Sequence, residues 1–356
     1  MRCQYCFYAD EMAKRSQASY GIMSIETLDH VMQEIFRFAE EACTIAFQGG
    51  EPTLAGLDFY RQCIRLEKKY ITKNVAVSYA LQTNGYALDE EWFSFFAENH
   101  FLIGLSIDGI KAAHDAYRKD ASGNDTYFRI LETAQGLRQA GVDFNVLTVV
   151  NGMTAPKIRK IYEKYKKLGF DWQQYIACLD PVQERPGQQE YSLTPHMYGR
   201  FLIELFELWD LDLRQGKHPY IRQFENYIGI LMGHQPESCE QRGVCSFQNI
   251  VEADGSVYPC DFYVMDGYRL GNLRTDSLQV IEQRRRESRF VENSINHTEK
   301  CRSCPYFMVC RGGCRRHREQ PGTEPGENYF CESYQMFFDS CLPRMREIAA
   351  CLRRCR

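Results

Sequence analysis

Three absences narrow the class of this chain. It has no uncharged apolar run approaching the length of a membrane span. Met1-Arg2-Cys3-Gln4 is not followed by the apolar core of a signal peptide. Charge of one sign does not dominate, the formal net charge being −4. The first absence excludes a helical membrane span and the second leads to the expectation of a cytoplasmic protein. The third gives no reason to expect a nucleic-acid or membrane-surface partner. No internal repeat and no low-complexity linker interrupts the sequence. What remains is ordinary globular material: 356 residues at 44% hydrophobic, enough for one large domain and a smaller one.

Cysteine, by contrast, is abundant, with 16 in the chain. Without an export signal these thiols are expected to stay reduced and to bind metal, disulfides being the competing reading. Eight of them form a ladder in the last third. Cys239 and Cys245 are followed by Gly255 and Cys260, then by Cys301-x2-Cys304-x5-Cys310-x3-Cys314 and finally Cys331. Eight thiolates match two [4Fe–4S] cubes, each held by about four cysteine sulfurs. Two zinc sites sharing the same thiolates are the alternative. A further pair, Cys3-x2-Cys6, stands at the start of the chain.

Residues 1–215 alternate strand-like and helix-like segments. Five apolar runs read as strands: Thr44–Phe47, Ala76–Leu81, Phe101–Ile107, Phe144–Val150 and Trp172–Ile176. The first three lead into the turns Gln48-Gly49-Gly50-Glu51-Pro52, Thr83-Asn84-Gly85 and Asp108-Gly109. Amphipathic segments at helical period lie between the runs: Ile25–Ala39 behind a Ser24 cap, Leu57–Tyr70, Tyr127–Ala140 and Ile158–Leu168. This alternation predicts an α/β fold with a parallel sheet or barrel, reactive loops at the carboxyl ends of its strands. A long helix is predicted over Pro195–Gly216. Residues 236–335 are rich in Cys, Gly, Arg and Tyr and show little periodicity, as in a small domain held together by metal rather than by a core. Arg344–Arg356 reads as a closing basic helix.

Each motif has a plain reading beside the chemical one. Cys3-x2-Cys6, followed by Phe7 and Tyr8, fits zinc, a redox dithiol or an iron–sulfur site. Gly49-Gly50 lets backbone approach a ligand closely, or simply makes a tight β–α turn. Asp261 stands directly after Cys260, and most aspartates are surface residues. Cys63, in an amphipathic segment, is expected in the core. Cys351 and Cys355 lie one helical turn apart, a weak metal signal, and Cys43, Cys178 and Cys341 suggest no function.

Together, Cys-Gln-Tyr-Cys-Phe-Tyr at 3–8, Gly-Gly-Glu-Pro at 49–52 and the eight-cysteine ladder resemble a radical S-adenosylmethionine (AdoMet) enzyme with a SPASM domain. More narrowly the chain is similar to the anaerobic sulfatase-maturating enzymes. The likeness is carried by Ala46 to Leu57, by Leu81 to Gly85, and by Asp254-Gly255-Ser256-Val257-Tyr258-Pro259-Cys260-Asp261-Phe262-Tyr263. It runs from Met1 to about residue 345.

The resemblance implies a partial (β/α)6 TIM-like barrel over residues 1–215, its first strand missing. A SPASM domain over 216–335 and a C-terminal helix over 336–356 follow. The implied reaction is oxidation of a cysteine or serine in a sulfatase chain to Cα-formylglycine, with AdoMet cleaved to 5′-deoxyadenosine and methionine. Cys3 and Cys6 become two ligands of the catalytic cluster. Tyr5, Gly50, Ser106, Arg118 and Leu179 become contacts of AdoMet. Cys239, Cys245, Cys260 and Cys314 become ligands of one auxiliary cluster, and Cys301, Cys304, Cys310 and Cys331 of the other. Asp261 becomes the general base, with Tyr8 and Gln48 beside the substrate side chain. The implied partners are an unfolded sulfatase chain or peptide and an electron donor such as flavodoxin or ferredoxin, for a monomeric enzyme. The family's own motif is Cys-x3-Cys-x2-Cys, whose first cysteine would lie four residues ahead of Cys3, before Met1. Intact downstream motifs lead to the expectation of a true start upstream, a degenerate relative being the alternative. As written, the chain is expected to hold two auxiliary clusters and its catalytic cluster poorly. The rival functions are another SPASM peptide maturase and a non-catalytic iron–sulfur or zinc module.

Overall fold

Caps and apolar spacing lay out the framework in a computed structural model that describes residues 1–322 and 326–354. The chain opens with a two-residue strand, β1 (Arg2–Cys3), and a short helix, α1 (Phe7–Ala13). Ser24 Oγ then accepts the Thr27 N–H at 3.0 Å and starts α2 (Ile25–Phe38), as the sequence predicts. β2 (Ala42–Phe47), α3 (Leu57–Tyr70) and β3 (Ala76–Thr83) follow. Asp89 caps α4 (Glu90–Glu98) by accepting from the N–H groups of Glu91 and Trp92. β4 (Leu102–Ser106), α5 (Lys111–Tyr117) and β5 (Arg118–Lys119) come next, then α6 (Tyr127–Gln139), β6 (Phe144–Val150), α7 (Ile158–Leu168) and β7 (Trp172–Ala177). After the long helix α8 (Pro195–Arg214) the chain adds β8 (Tyr220–Ile221) and α9 (Arg222–Leu231).

The principal sheet is parallel throughout, in the order β2-β3-β4-β6-β7-β8. It therefore has one strand more than the five apolar runs suggest. β8 pairs with β7 at only two positions, Trp172 with Tyr220 and Gln173 with Ile221, too few for an alternating pattern to register. The sheet is open, with β2 at one edge and β8 at the other among the described residues. Its carboxyl ends lead into the Gln48–Pro52, Asn84–Gly85, Asp108–Gly109 and Cys178–Asp180 segments, where an α/β sheet presents its reactive groups.

Residues beyond α9 form a three-stranded antiparallel sheet: β9 (Ile250–Val251), β10 (Ser256–Tyr258) and β11 (Gly271–Asn272), β10 at the centre. This region has a small apolar core after all. Val257, Leu270, Leu273, Leu278 and Ile281 pack with Val31 of α2, so α2 serves both units. The closing helix runs over Cys331–Arg354 and not from Arg344. Its buried face (Tyr334, Phe337, Phe338, Cys341, Leu342, Met345, Ala349) recurs at helical spacing, and Phe337 meets Phe206 of α8 and Phe224 of α9 with ring centroids 6.0 and 5.8 Å apart. Cys355 lies outside the described residues. Among the described residues no helix is long and apolar enough to cross a membrane.

Candidate active site

β1 pairs antiparallel with β5, and the register sets Cys3 opposite Arg118. Arg118 Nη1 lies 3.8 Å from Cys3 Sγ. This arginine is no solvated charge, being only 6% exposed. Its Nε donates to Asp108 Oδ2 at 2.9 Å and its Nη2 to Oδ1 at 3.4 Å. Tyr5 donates its hydroxyl to the same Oδ2, and its ring stands 5.4 Å from the guanidinium carbon. Asp108 also accepts the Val149 N–H at 3.0 Å. Burial disfavours the Arg118 cation and is the largest single effect, but Asp108, Tyr5 and Cys3 together outweigh it and hold the guanidinium well above its ordinary pKa. Burial pushes the Cys3 thiol up, with Arg118 pulling against it. Asp108 thus joins three residues expected at the site, Cys3, Tyr5 and Arg118. The sequence offers no sign of this beyond its position after a strand.

Cys6 is the N-terminal flank of α1, and its N–H donates to the Cys3 carbonyl at 3.2 Å, so both thiols belong to one tight turn. Gly50 follows Gly49, whose φ of +123° is strained for any residue with a side chain. The neighbouring Glu51 explains the shape of the turn. Its carboxylate accepts from the Thr53 N–H and hydroxyl, from Thr83 Oγ1 at 2.7 Å and from the Asn84 N–H at 2.9 Å. One side chain therefore ties the end of β2 to the end of β3. Ser106, the last residue of β4, and Leu179, just after β7, are buried, and the Ser106 side chain makes no hydrogen bond among the described residues.

Across the cleft, Gln48 Nε2 donates to Asp261 Oδ2 at 3.3 Å, and the Cys260 thiol donates to Asp261 Oδ1 at 3.3 Å. Phe7 and Phe262 meet edge to face at 4.8 Å beside them. Withdrawal from water pushes the Asp261 carboxyl up, while Cys260 and Gln48 act in the opposite sense. Tyr8 lies over the Gly49–Gly50 turn, its hydroxyl donated to Glu252, a residue that carries no sequence signal.

The ladder separates into two groups of thiols. Cys245 raises the pKa of Cys239, Cys239 and Cys245 raise that of Cys314, and Cys314 raises that of Cys260, all on top of the larger effect of burial. Cys301, Cys304, Cys310 and Cys331 ring one small cavity lined by no carboxylate or imidazole. Burial pushes Cys310 up to about 12 and Cys331 to about 11. Among the described residues no three such groups close on a point that suits a single metal ion. A cube several ångström wide holds its four sulfurs further apart than one tetrahedral ion does, so a soft all-thiol ring suits an iron–sulfur cube. Of the other cysteines, Cys63 is buried in the core and Cys43 lies at the amino end of β2, away from the cleft.

The Radical SAM superfamily matches residues 1–165, and SPASM, described as an iron-sulfur cluster-binding domain, matches residues 239–305. The cysteine-type anaerobic sulfatase-maturating enzyme of Clostridium novyi (strain NT) is 42% identical over 354 residues, 99% of this chain and 94% of that protein. The serine-type enzyme of Bacteroides thetaiotaomicron is 28% identical over 97% of this chain and 87% of its own length. The solved structure of native anSMEcpe with bound AdoMet and Kp18Cys peptide superposes with a TM-score of 0.93 at 40% identity, covering 98% of this chain and 95% of that one. With this identity over nearly its whole length, the chain belongs to the family of anaerobic sulfatase-maturating enzymes.

Proposed function

We propose that this protein oxidises a cysteine side chain in a sulfatase polypeptide to Cα-formylglycine, cleaving AdoMet to 5′-deoxyadenosine and methionine. The observation that carries the reading is the carboxylate of Asp261, held by Gln48 beside Cys260 at the mouth of the parallel sheet. Cysteine is favoured over serine as the target because the cysteine-type relative is 42% identical and the serine-type one 28%. When bound, the iron–sulfur cluster and AdoMet supply the radical chemistry that removes a hydrogen atom from the substrate carbon. The chain's residues do the rest. Asp261 accepts the thiol proton, and Gln48 fixes the direction in which its carboxylate points. Tyr5, Gly50, Ser106, Arg118 and Leu179 bind AdoMet, Arg118 through Nη1, the nitrogen not taken by Asp108.

Two auxiliary cubes fit the ladder, one on Cys239, Cys245, Cys260 and Cys314 and one on Cys301, Cys304, Cys310 and Cys331, with Cys3 and Cys6 serving the catalytic cluster. The working units are the partial barrel, extended past residue 215 to take in β8, the SPASM domain after it and the closing helix from Cys331. A monomer in the cytoplasm, reduced by a flavodoxin or ferredoxin, is the setting that fits them. Anaerobic incubation of the iron-loaded protein with AdoMet and a cysteine-containing sulfatase-motif peptide, read by mass spectrometry, tests the reading. Formylglycine is expected from the cysteine peptide and much less from its serine counterpart. Cofactor cleavage with neither peptide changed would refute it.

A further inference from the structure

The ring of Tyr8 covers the Gly49–Gly50 turn closely, a Cβ built at Gly49 standing 3.6 Å from it. Beyond the ring, the Tyr8 hydroxyl donates to Glu252 Oε1, and Glu252 Oε2 accepts from Arg15 Nη2 at 3.3 Å. Arg15 and Glu252 are only 6% and 8% exposed. The guanidinium also donates to the Ala18 carbonyl at 3.1 Å and lies 5.0 Å from the Tyr20 ring centroid and 5.8 Å from that of Tyr8. A buried ion pair of this kind adds little stability over well-packed apolar residues. What it does provide is an acceptor whose position cannot wander, because Arg15 pins one oxygen while Tyr8 binds the other.

That acceptor stands at a joint. The Glu252 N–H donates to the Ser256 carbonyl at 2.8 Å and the Gly255 N–H to the Glu252 carbonyl at 2.9 Å, forming the turn between β9 and β10. β10 runs directly through Pro259 into Cys260 and Asp261. The Tyr8–Glu252 bond therefore links the helix behind Cys6 to the hairpin that ends in Asp261. The Gln48–Asp261 bond crosses the same seam from the turn that the Tyr8 ring covers.

We propose that Glu252, clamped by Arg15, is a positioning residue: through the Tyr8 hydroxyl it fixes the hairpin against the Gly49–Gly50 turn and so sets Gln48 against Asp261. The inference rests on the functional reading above, in which Asp261 handles the substrate proton. Without the bond the seam slides, Asp261 leaves its station, and radical formation continues without productive oxidation of the peptide.

The test uses the full iron-loaded chain under anaerobic conditions. Tyr8→Phe, Glu252→Leu, the double variant and Glu252→Gln are compared by formylglycine formed per 5′-deoxyadenosine and by the Kd for the cysteine peptide. Tyr8→Phe and Glu252→Leu are each expected to lower the ratio by between about tenfold and about a hundredfold, the scale of ångström-level misplacement of reacting groups. Peptide Kd should move far less. The double variant should be no worse than the poorer single one, because both remove one bond. Glu252→Gln keeps an acceptor for the hydroxyl but turns its amide NH2 toward Arg15, so it should recover part of the loss. If Glu252→Leu does not fold, Tyr8→Phe and Glu252→Gln decide the matter alone. Ratios equal to that of the unmodified chain, losses that multiply in the double variant, or no rescue by Gln would overturn the inference. Cleavage of AdoMet by the unmodified chain without any conversion of the peptide would instead sink the functional reading, and this inference with it.

Discussion

Gln48 Nε2 stands 3.3 Å from Asp261 Oδ2, a hydrogen bond between residues 213 positions apart that joins the end of β2 to the cysteine-rich region. The bond does two things at once. It aims the carboxylate into the cleft, and it helps keep it ionised where withdrawal from water would otherwise favour the acid.

Asp261→Asn keeps the size of the side chain and its Oδ1 contacts, removes the basicity, and is accommodated by the Gln48 amide turning over to accept. Formylglycine formation should fall by about 10²–10⁴, the usual contribution of a general base. Iron content should match that of the unmodified chain. Peptide mass spectrometry beside an iron assay checks both, and full formylglycine yield from the Asn variant would remove Asp261 from its role.

The Arg118–Asp108 pair is buried on both sides, with side-chain exposures of 7% and 0%. Arg118→Leu strands the carboxylate and should cost about 3–5 kcal/mol of stability. The double variant, Arg118→Leu with Asp108→Asn, should cost clearly less than Arg118→Leu alone, since no charge is then left unpaired and the amide oxygen still accepts from the Tyr5 hydroxyl or the Val149 N–H. Anaerobic urea unfolding of the two variants gives the comparison. A double variant less stable than the single one would contradict it.

The sequence is legible where one face of an element is buried and opaque elsewhere. α2, α3 and α7 are evident because their buried residues recur at helical spacing. α4 hides because it is short and its dense aromatic run, Trp92, Phe93, Phe95 and Phe96, masks the exposed stripe of Glu91, Ser94 and Glu98. The closing helix reads as starting at Arg344 because Pro343, a residue that usually ends a helix, lies inside it. At the site, the cysteines and the Gly-Gly-Glu-Pro turn stand out through spacing. Asp108 and Glu252 do not, and the task of Glu51 within its motif does not either, because a single carboxylate acquires its role only when the fold delivers its partners: Arg118 and Tyr5 for Asp108, Tyr8 and Arg15 for Glu252, Thr83 and Asn84 for Glu51.

Cys310 lines the cavity shared by Cys301, Cys304 and Cys331, and Cys331 begins the helix that packs on α8. A cube bound there would tie the small region to the parallel-sheet unit, so loss of a ligand should loosen fold as well as chemistry. Cys310→Ala or Cys304→Ala should lower iron and make residues 236–335 cleave faster in anaerobic limited proteolysis. An unchanged digest with unchanged iron would contradict this.

Acid should destabilise the protein through His114, which is 0% exposed. Its Nδ1 faces the Asp108 N–H at 3.2 Å and must accept, while Nε2 donates to Thr126 Oγ1 at 3.0 Å, whose hydroxyl passes on to the Arg118 carbonyl. A protonated ring has no acceptor left for Asp108. Burial, reinforced by the charge of Arg118, pushes the His114 pKa down from 6.5 to about 4. The unfolded chain therefore takes up a proton as pH falls through 6.5, whereas the folded chain resists until about 4. In that window the unfolded state binds more protons, so stability falls as pH falls, by about 3 kcal/mol over the full shift, and is insensitive to His114 above it. Because His297 is also pushed down to about 4, the slope should be reduced, not abolished, in His114→Gln. Anaerobic urea midpoints at a series of pH values from 7.5 to 4.5, measured for both proteins, supply the difference. If the two curves run parallel through the window, His114 is not buried in its neutral form.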